Sequence, residues 1–104
     1  MSSIKTIIQE EFERLVKLQK RYEEEISQLP VGSLSIKKRS GKEYAYIAYR
    51  EKEKVKTDYI GTADSSEVEK LRGLILKRKE LEELLRATKK RLKEVEKVLD
   101  GKKI

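Results

Sequence analysis

The stretch from Ser33 to Gly61, "SLSIKKRSGKEYAYIAYREKEKVKTDYIG", decides how this chain folds. Leu34 and Ile36 alternate with serines. "EYAYIAYR" is rich in aromatic residues and Ile. In "KVKTDYI", Val55, Thr57 and Tyr59 alternate with Lys54, Lys56 and Asp58. A period of two between turn signals predicts three short strands. Ser40-Gly41 reads as a two-residue hairpin turn and Glu51 to Lys54 as the second bend. With that first turn, Lys38 faces Glu43, Ile36 faces Ala45 and Leu34 faces Ile47. One face then collects Leu34, Ile36, Ala45, Ile47 and Tyr49. The other collects Lys37, Arg39, Lys42, Tyr44, Tyr46 and Arg50. A slip of one residue would scramble this separation, so turn and pattern agree. The third strand stays open between two registers. A two-residue turn at Lys52-Glu53 puts Val55, Thr57 and Tyr59 on the basic face. A three-residue bend puts them on the apolar one. Lys52-Glu53 lacks the Gly or Asn that tight primed turns prefer, and so does not choose.

Upstream, Ile4, Ile8, Phe12, Leu15, Leu18, Tyr22, Ile26 and Leu29 recur every three or four residues, which is one face of a helix. Pro30 and Gly32 end it. Downstream, Asp64 with Glu67, or Ser66 with Glu69, has the spacing of a capping box. Leu71, Leu74, Arg78, Leu81, Leu85, Thr88, Leu92, Val95 and Leu99 then form a heptad seam with polar breaks at Arg78 and Thr88. Gly101 is a C-terminal stop. Gly73 reads equally as a place of close backbone approach and as a tolerated helix glycine. The expected architecture is a single α+β domain over residues 1–104: a helix over 3–29, a three-stranded antiparallel meander over 33–61 and a long helix over 65–100. The two helices are expected to pair as an antiparallel coiled coil.

Charged residues make up 43% of the 104-residue chain and hydrophobic ones 37%, so narrow apolar stripes suit it better than one deep core. The first helix is shorter than the second, so part of the seam should outrun it. That predicts a homodimer or higher oligomer through Leu71, Leu74, Leu81, Leu85, Leu92, Val95 and Leu99, with Arg78 and Thr88 setting register. No apolar run approaches the ~18 residues of a membrane span. "MSSIKTIIQEEFERL" turns acidic before a signal-peptide core could form, so a cytoplasmic protein is expected.

Catalytic chemistry is hard to find. The chain has no Cys and no His, which removes thiolate ligands and the commonest general base. The five glycines are scattered, with no phosphate-binding loop. Glu10-Glu11 and Glu23-Glu24-Glu25 read as the solvated side of an amphipathic helix. No enzyme, cofactor or metal is expected.

The net charge of +7 points to an anionic partner. Residues 33–61 carry eight basic and four acidic side chains, and residues 62–104 thirteen and nine, whereas residues 1–32 carry five and six. The excess therefore belongs to the sheet and the second helix. Within the helix, "RATKKRLK" places Arg86, Lys89, Lys90, Arg91 and Lys93 in a short span.

The motifs Gly32-Ser33, Gly41, Tyr44 and Tyr46, Tyr49-Arg50 and Tyr59-Ile60-Gly61, followed by a Glu/Lys-rich helix, resemble small uncharacterised bacterial and archaeal proteins. More loosely, the region is similar to basic sheet segments of transposases and tyrosine-type integrases, which contact DNA in the integrases. It departs from the pattern at Lys52-Glu53, where Gly is usual, and it has no recombinase catalytic set. The resemblance implies a nucleic-acid or mobile-element role.

Charge and resemblance together lead to a non-catalytic nucleic-acid-binding protein, DNA ahead of RNA. Lys37, Arg39, Lys42, Arg50, Lys54 and Lys56 would meet phosphates, Tyr44 and Tyr46 would stack, and Arg86, Lys89, Lys90 and Arg91 would follow the backbone. The rival reading is a coiled-coil adaptor or inhibitor whose partner is another protein. On that reading the tyrosines are cross-strand pairs beneath lysine stems, and the charges are solvated faces.

Overall fold

The computed structural model describes residues 3–101. In chain order it runs α1 (Ile4–Ser27), β1 (Ser33–Arg39), β2 (Lys42–Glu51), β3 (Lys54–Thr62) and α2 (Ser66–Leu99). This is the expected α+β layout. The chain divides into two compact units. One is Leu29–Lys79; the other holds the described residues up to Gln28 and from Glu80 onward. Helix α2 contributes to both.

In the first unit, the sheet is antiparallel with β2 at its centre. Arg39 pairs with Lys42, so Ser40-Gly41 is a two-residue turn, and Lys38–Glu43, Ile36–Ala45 and Leu34–Ile47 are partners as expected. Ser40 at φ 53° and Gly41 at φ 78° have the double positive φ that matches strand twist in a primed turn. Glu51 pairs with Lys54, which makes Lys52-Glu53 a two-residue turn as well. Lys52 holds φ 52° without being glycine. Of the two open registers, the chain therefore takes the one that moves Val55, Thr57 and Tyr59 to the face of Tyr44 and Tyr46.

Ala45 and Ile47 are buried on the opposite face, and Val68 of α2 is buried in the same unit. Gly32 closes against β2: a Cβ there would lie 2.6 Å from the Ala48 carbonyl oxygen, at a φ of +132°. The guanidinium of Arg78 donates to the Leu29 carbonyl at 2.9 Å and ties α2 to the incoming connection. The polar break in the seam thus anchors backbone within the unit.

α2 is capped neither by Asp64 nor by Ser66. The Ser65 hydroxyl accepts from the Val68 amide at 3.4 Å, and the Ser65 carbonyl takes the first helical bond from Glu69. With Val68 three residues on, the reciprocal box is impossible. Gly101, at φ 70°, ends the helix with its amide on the Val98 carbonyl.

In the second unit, Leu15 packs with Leu92 and Val95, flanked by Ile8, Phe12 and Leu99. Residues early in α1 meet residues late in α2, so the helices run in opposite directions there. Ser3 caps α1 through the Thr6 amide. The helix ends two residues short of Leu29, as Pro30 demands. Ile4, placed on the apolar face by spacing, is 78% exposed.

Part of the expected seam is used within the chain. Leu81, Leu92 and Val95 are already buried within one chain, and Leu74 is 43% exposed while Ile75 is half-buried. Leu74 and Ile75 lie in the part of α2 that belongs to the sheet unit, where Ile75 and not Leu74 is turned inward. Thr88 is satisfied within its own helix. Its hydroxyl donates to the Leu84 carbonyl of its own helix at 2.8 Å. Gly73 meets nothing within 4 Å where a Cβ would sit, so the close-approach reading falls away.

These positions sort three substitutions by sign. Gly32→Ala should destabilise by about 1–3 kcal/mol, from strained φ and the carbonyl contact. Gly73→Ala should stabilise by up to ~1 kcal/mol, because it lies in an open helix interior. Lys52→Gly should stabilise by about 0.5–1 kcal/mol, as relief of a positive φ outweighs added chain entropy. Urea unfolding of the three variants checks the order.

Candidate functional site

Side chains alternate across a strand, so the register assigns every charge of the sheet to a face. Lys37, Arg39, Lys42, Tyr44, Tyr46 and Arg50 share one face, joined by Val55, Thr57 and Tyr59. It carries four cations and no anion. The three acidic residues of the strands, Glu43, Glu51 and Asp58, fall on the other face with Lys38, Lys54 and Lys56. Lys54 and Lys56, expected with the phosphate-facing set, therefore lie on the opposite face of the sheet from Lys37, Arg39, Lys42 and Arg50. Lys56 is held by Glu51 at 3.0 Å. Their register could not be read from a turn without glycine.

The aromatic face is built around Tyr59, which the sequence reading did not name as a site residue. Tyr46 and Tyr59 are direct cross-strand partners, with ring centroids 5.5 Å apart and the rings edge to face. The Tyr44 ring lies 6.1 Å from that of Tyr59, tilted to it. The Lys37 ammonium sits 5.1 Å from the centroid of the Tyr46 ring, a cation–π contact. A register shift follows at once: Tyr59 pairs with Tyr46, but Gly61 pairs with Ala45, so Ile60 is the extra residue of a β-bulge. Only the choice between two turns at Lys52-Glu53 could have revealed this cluster.

On the α2 segment from Glu80 onward, Arg86, Lys89 and Lys90 are exposed. Arg91 is paired with Glu94 at 3.3 Å. These residues belong to the unit that does not contain the sheet. In the same unit, Ile7, Ile8, Val95 and Val98 line a groove of about 780 Å³ whose rim carries Glu10, Glu11, Arg14, Arg91 and Glu94. The Arg14 hydrogen bond holds the Glu11 carboxyl below the usual range; loss of solvation opposes it, and the charges of Arg14 and then Arg91 add to the lowering. No group of three or more metal-ligating side chains occurs among the described residues. No described helix is long and apolar enough to cross a membrane.

On the neutralised face of the sheet, the Tyr49 hydroxyl donates to Asp58 at 3.0 Å. That bond first, then lost solvation and the charges of Asp58 and Glu51, raises the phenol above its usual range. Because the folded-state pKa exceeds the unfolded one, the pair's contribution is complete below the ordinary phenol value of about 10 and is lost as pH rises through the folded value. Alkaline titration followed by phenolate absorbance should show one tyrosine moving to lower pH in Asp58→Asn. An unchanged curve would contradict the assignment.

A family profile described as a domain of unknown function (DUF6788) matches residues 8–70, which takes in most of α1, the whole sheet and the first residues of α2. No curated protein and no solved structure matches the chain. The likeness to transposase and integrase segments thus finds no counterpart, whereas the likeness to an uncharacterised family does. With well over half of its length inside the profile, the chain belongs to the DUF6788 family.

Proposed function

We propose that this is a non-catalytic nucleic-acid-binding protein, acting in the cytoplasm on DNA ahead of RNA, and that the aromatic face of the sheet is its binding surface. One observation carries the reading: register places four cations and three tyrosines on one face and every acidic strand residue on the other. Arg39, Lys42 and Arg50 make no ion pair among the described residues, so their charge is free for phosphate. The face also lies wholly inside the residues shared with the family, whereas Arg86, Lys89 and Lys90 lie outside them and form a secondary basic patch. A mobile-element or phage origin rests on the sequence resemblance alone, and the binding reading does not need it.

Phosphate contacts make affinity salt-dependent. With four cations engaged, log K should fall with log salt with a slope of about −3 on single strands. Lys37→Glu, Arg39→Glu and Lys42→Glu together should weaken binding more than about tenfold at low salt. Lys38→Glu, Lys54→Glu and Lys56→Glu together, the same change in net charge on the other face, should cost less than about threefold near physiological salt, where distant charges are screened. Fluorescence anisotropy with labelled oligonucleotides measures both. Equal losses in the two variants would reduce the site to nonspecific net charge.

A second proposal concerns assembly. Ile4, Ile7 and Val98 are exposed around the groove in the helical unit, and its rim carries both signs of charge. A two-fold contact would set Arg14 or Arg91 of one copy against Glu10, Glu11 or Glu94 of the other. A dimer by light scattering at micromolar concentration is expected, with Ile7→Glu plus Val98→Glu giving a monomer. A monomeric wild type would leave the groove to a different protein.

A further inference from the structure

Tyr44 and Tyr46 are the rings that composition brings to mind, yet the geometry points to Tyr59. We infer that Tyr59 is the stacking platform of the sheet and that its ligand is an unpaired base of a single-stranded nucleic acid; this rests on the binding reading above. Of the three rings, Tyr44 and Tyr46 are half-buried, whereas Tyr59 is 56% exposed. Tyr46 has the Lys37 ammonium over its ring. Tyr44 and Tyr46 instead flank Tyr59 at 6.1 and 5.5 Å, both inclined to it. Two inclined neighbours hold the orientation of the ring, and neither is stacked face to face on it. The bulge at Ile60 comes directly after Tyr59. Bulges re-aim a side chain at the cost of ladder bonds.

The charges complete a track. Lys42 and Arg50 stand at opposite ends of the same face of β2, eight residues or about 27 Å apart, and the aromatic cluster lies along the strand from Lys42. A strand of nucleic acid following β2 would meet cations at both ends and an open ring on the way. In a duplex the bases are already stacked and paired, and a ring on a sheet face cannot reach between them. Phosphates, by contrast, attract the four cations in either form. The ring therefore separates single strand from duplex, and the cations do not.

The test uses the whole chain with a labelled oligothymidylate of ~15 nucleotides and a duplex of the same length. Tyr59→Ala and Tyr59→Leu should each weaken single-strand binding by about 5- to 150-fold, the equivalent of ~1–3 kcal/mol per stacked base, and the duplex far less. Tyr59→Phe should retain single-strand preference, since stacking needs the ring and not the hydroxyl. A lowered thermal midpoint is expected for the Ala variant, from the lost ring contacts, and a smaller drop for the Leu variant, which keeps an apolar contact with Tyr46; binding is measured well below both midpoints, which guards against misfolding. Single-strand affinity unaffected by Tyr59→Ala, or equal losses on single strand and duplex, would overturn the stacking role while leaving the basic face as a phosphate site. Failure of the wild type to bind either form at low salt would remove that site, and the platform with it.

Discussion

The connection between Arg39 and Lys42 contains two residues, and that parity governs everything the sheet presents. Both residues of the turn hold positive φ, which glycine takes freely and serine takes at some cost. Because the loop has two residues and not three, odd positions of β1 share a face with even positions of β2. The second two-residue turn repeats the rule for β3. One parity then collects Lys37, Arg39, Lys42, Tyr44, Tyr46 and Tyr59. The other collects Ala45 and Ile47, which are buried, and all the acids. One inserted residue in either turn would mix these sets.

The helices solve a different problem, which is how to bury little in a chain of so much charge. α2 covers 34 residues, roughly 50 Å, and contributes few buried apolar side chains to each compact unit: Val68 in one, and Leu81, Leu92 and Val95 in the other. The polar residues of the seam are satisfied locally. Arg78 reaches a carbonyl of the Leu29 connection, and Thr88 bonds back to its own helix. Neither leaves a buried group without a partner, so a seam with interruptions remains affordable.

The legible and illegible parts of this fold divide along physical lines. The first hairpin was legible because alternation and turn chemistry point to one register. Helix limits were legible within two residues, since Pro30 and Gly101 act through their own backbones. The third strand was not, because Lys52 adopts a positive φ that its side chain does not advertise; with it went the faces of Lys54, Lys56 and Tyr59. The exchange of Leu74 for Ile75 in the seam reflects a change of packing unit along α2, which a single heptad template hides. The cap at Ser65 was hidden by two neighbours with better-known spacing.

Stability alone gives a poor account of the aromatic face. Arg39 and Lys42 are direct cross-strand partners, and like charges so placed disfavour pairing. Arg50 sits opposite Val55, with no acid near it in the ladder. The same sheet shows that neutralisation was within reach: on its other face Lys38 stands across from Glu43, Lys56 is bonded to Glu51 and Tyr49 to Asp58. A surface selected only to fold and stay soluble would intersperse both signs on both faces. Here one face is balanced and the other is left uniformly positive around three rings, one of them largely open to solvent. Such an asymmetry costs some self-repulsion in the free protein, and an anionic ligand along β2 would remove that cost on binding. On the proposed binding reading, the repulsion between Arg39 and Lys42 is unfilled affinity and not imperfect packing.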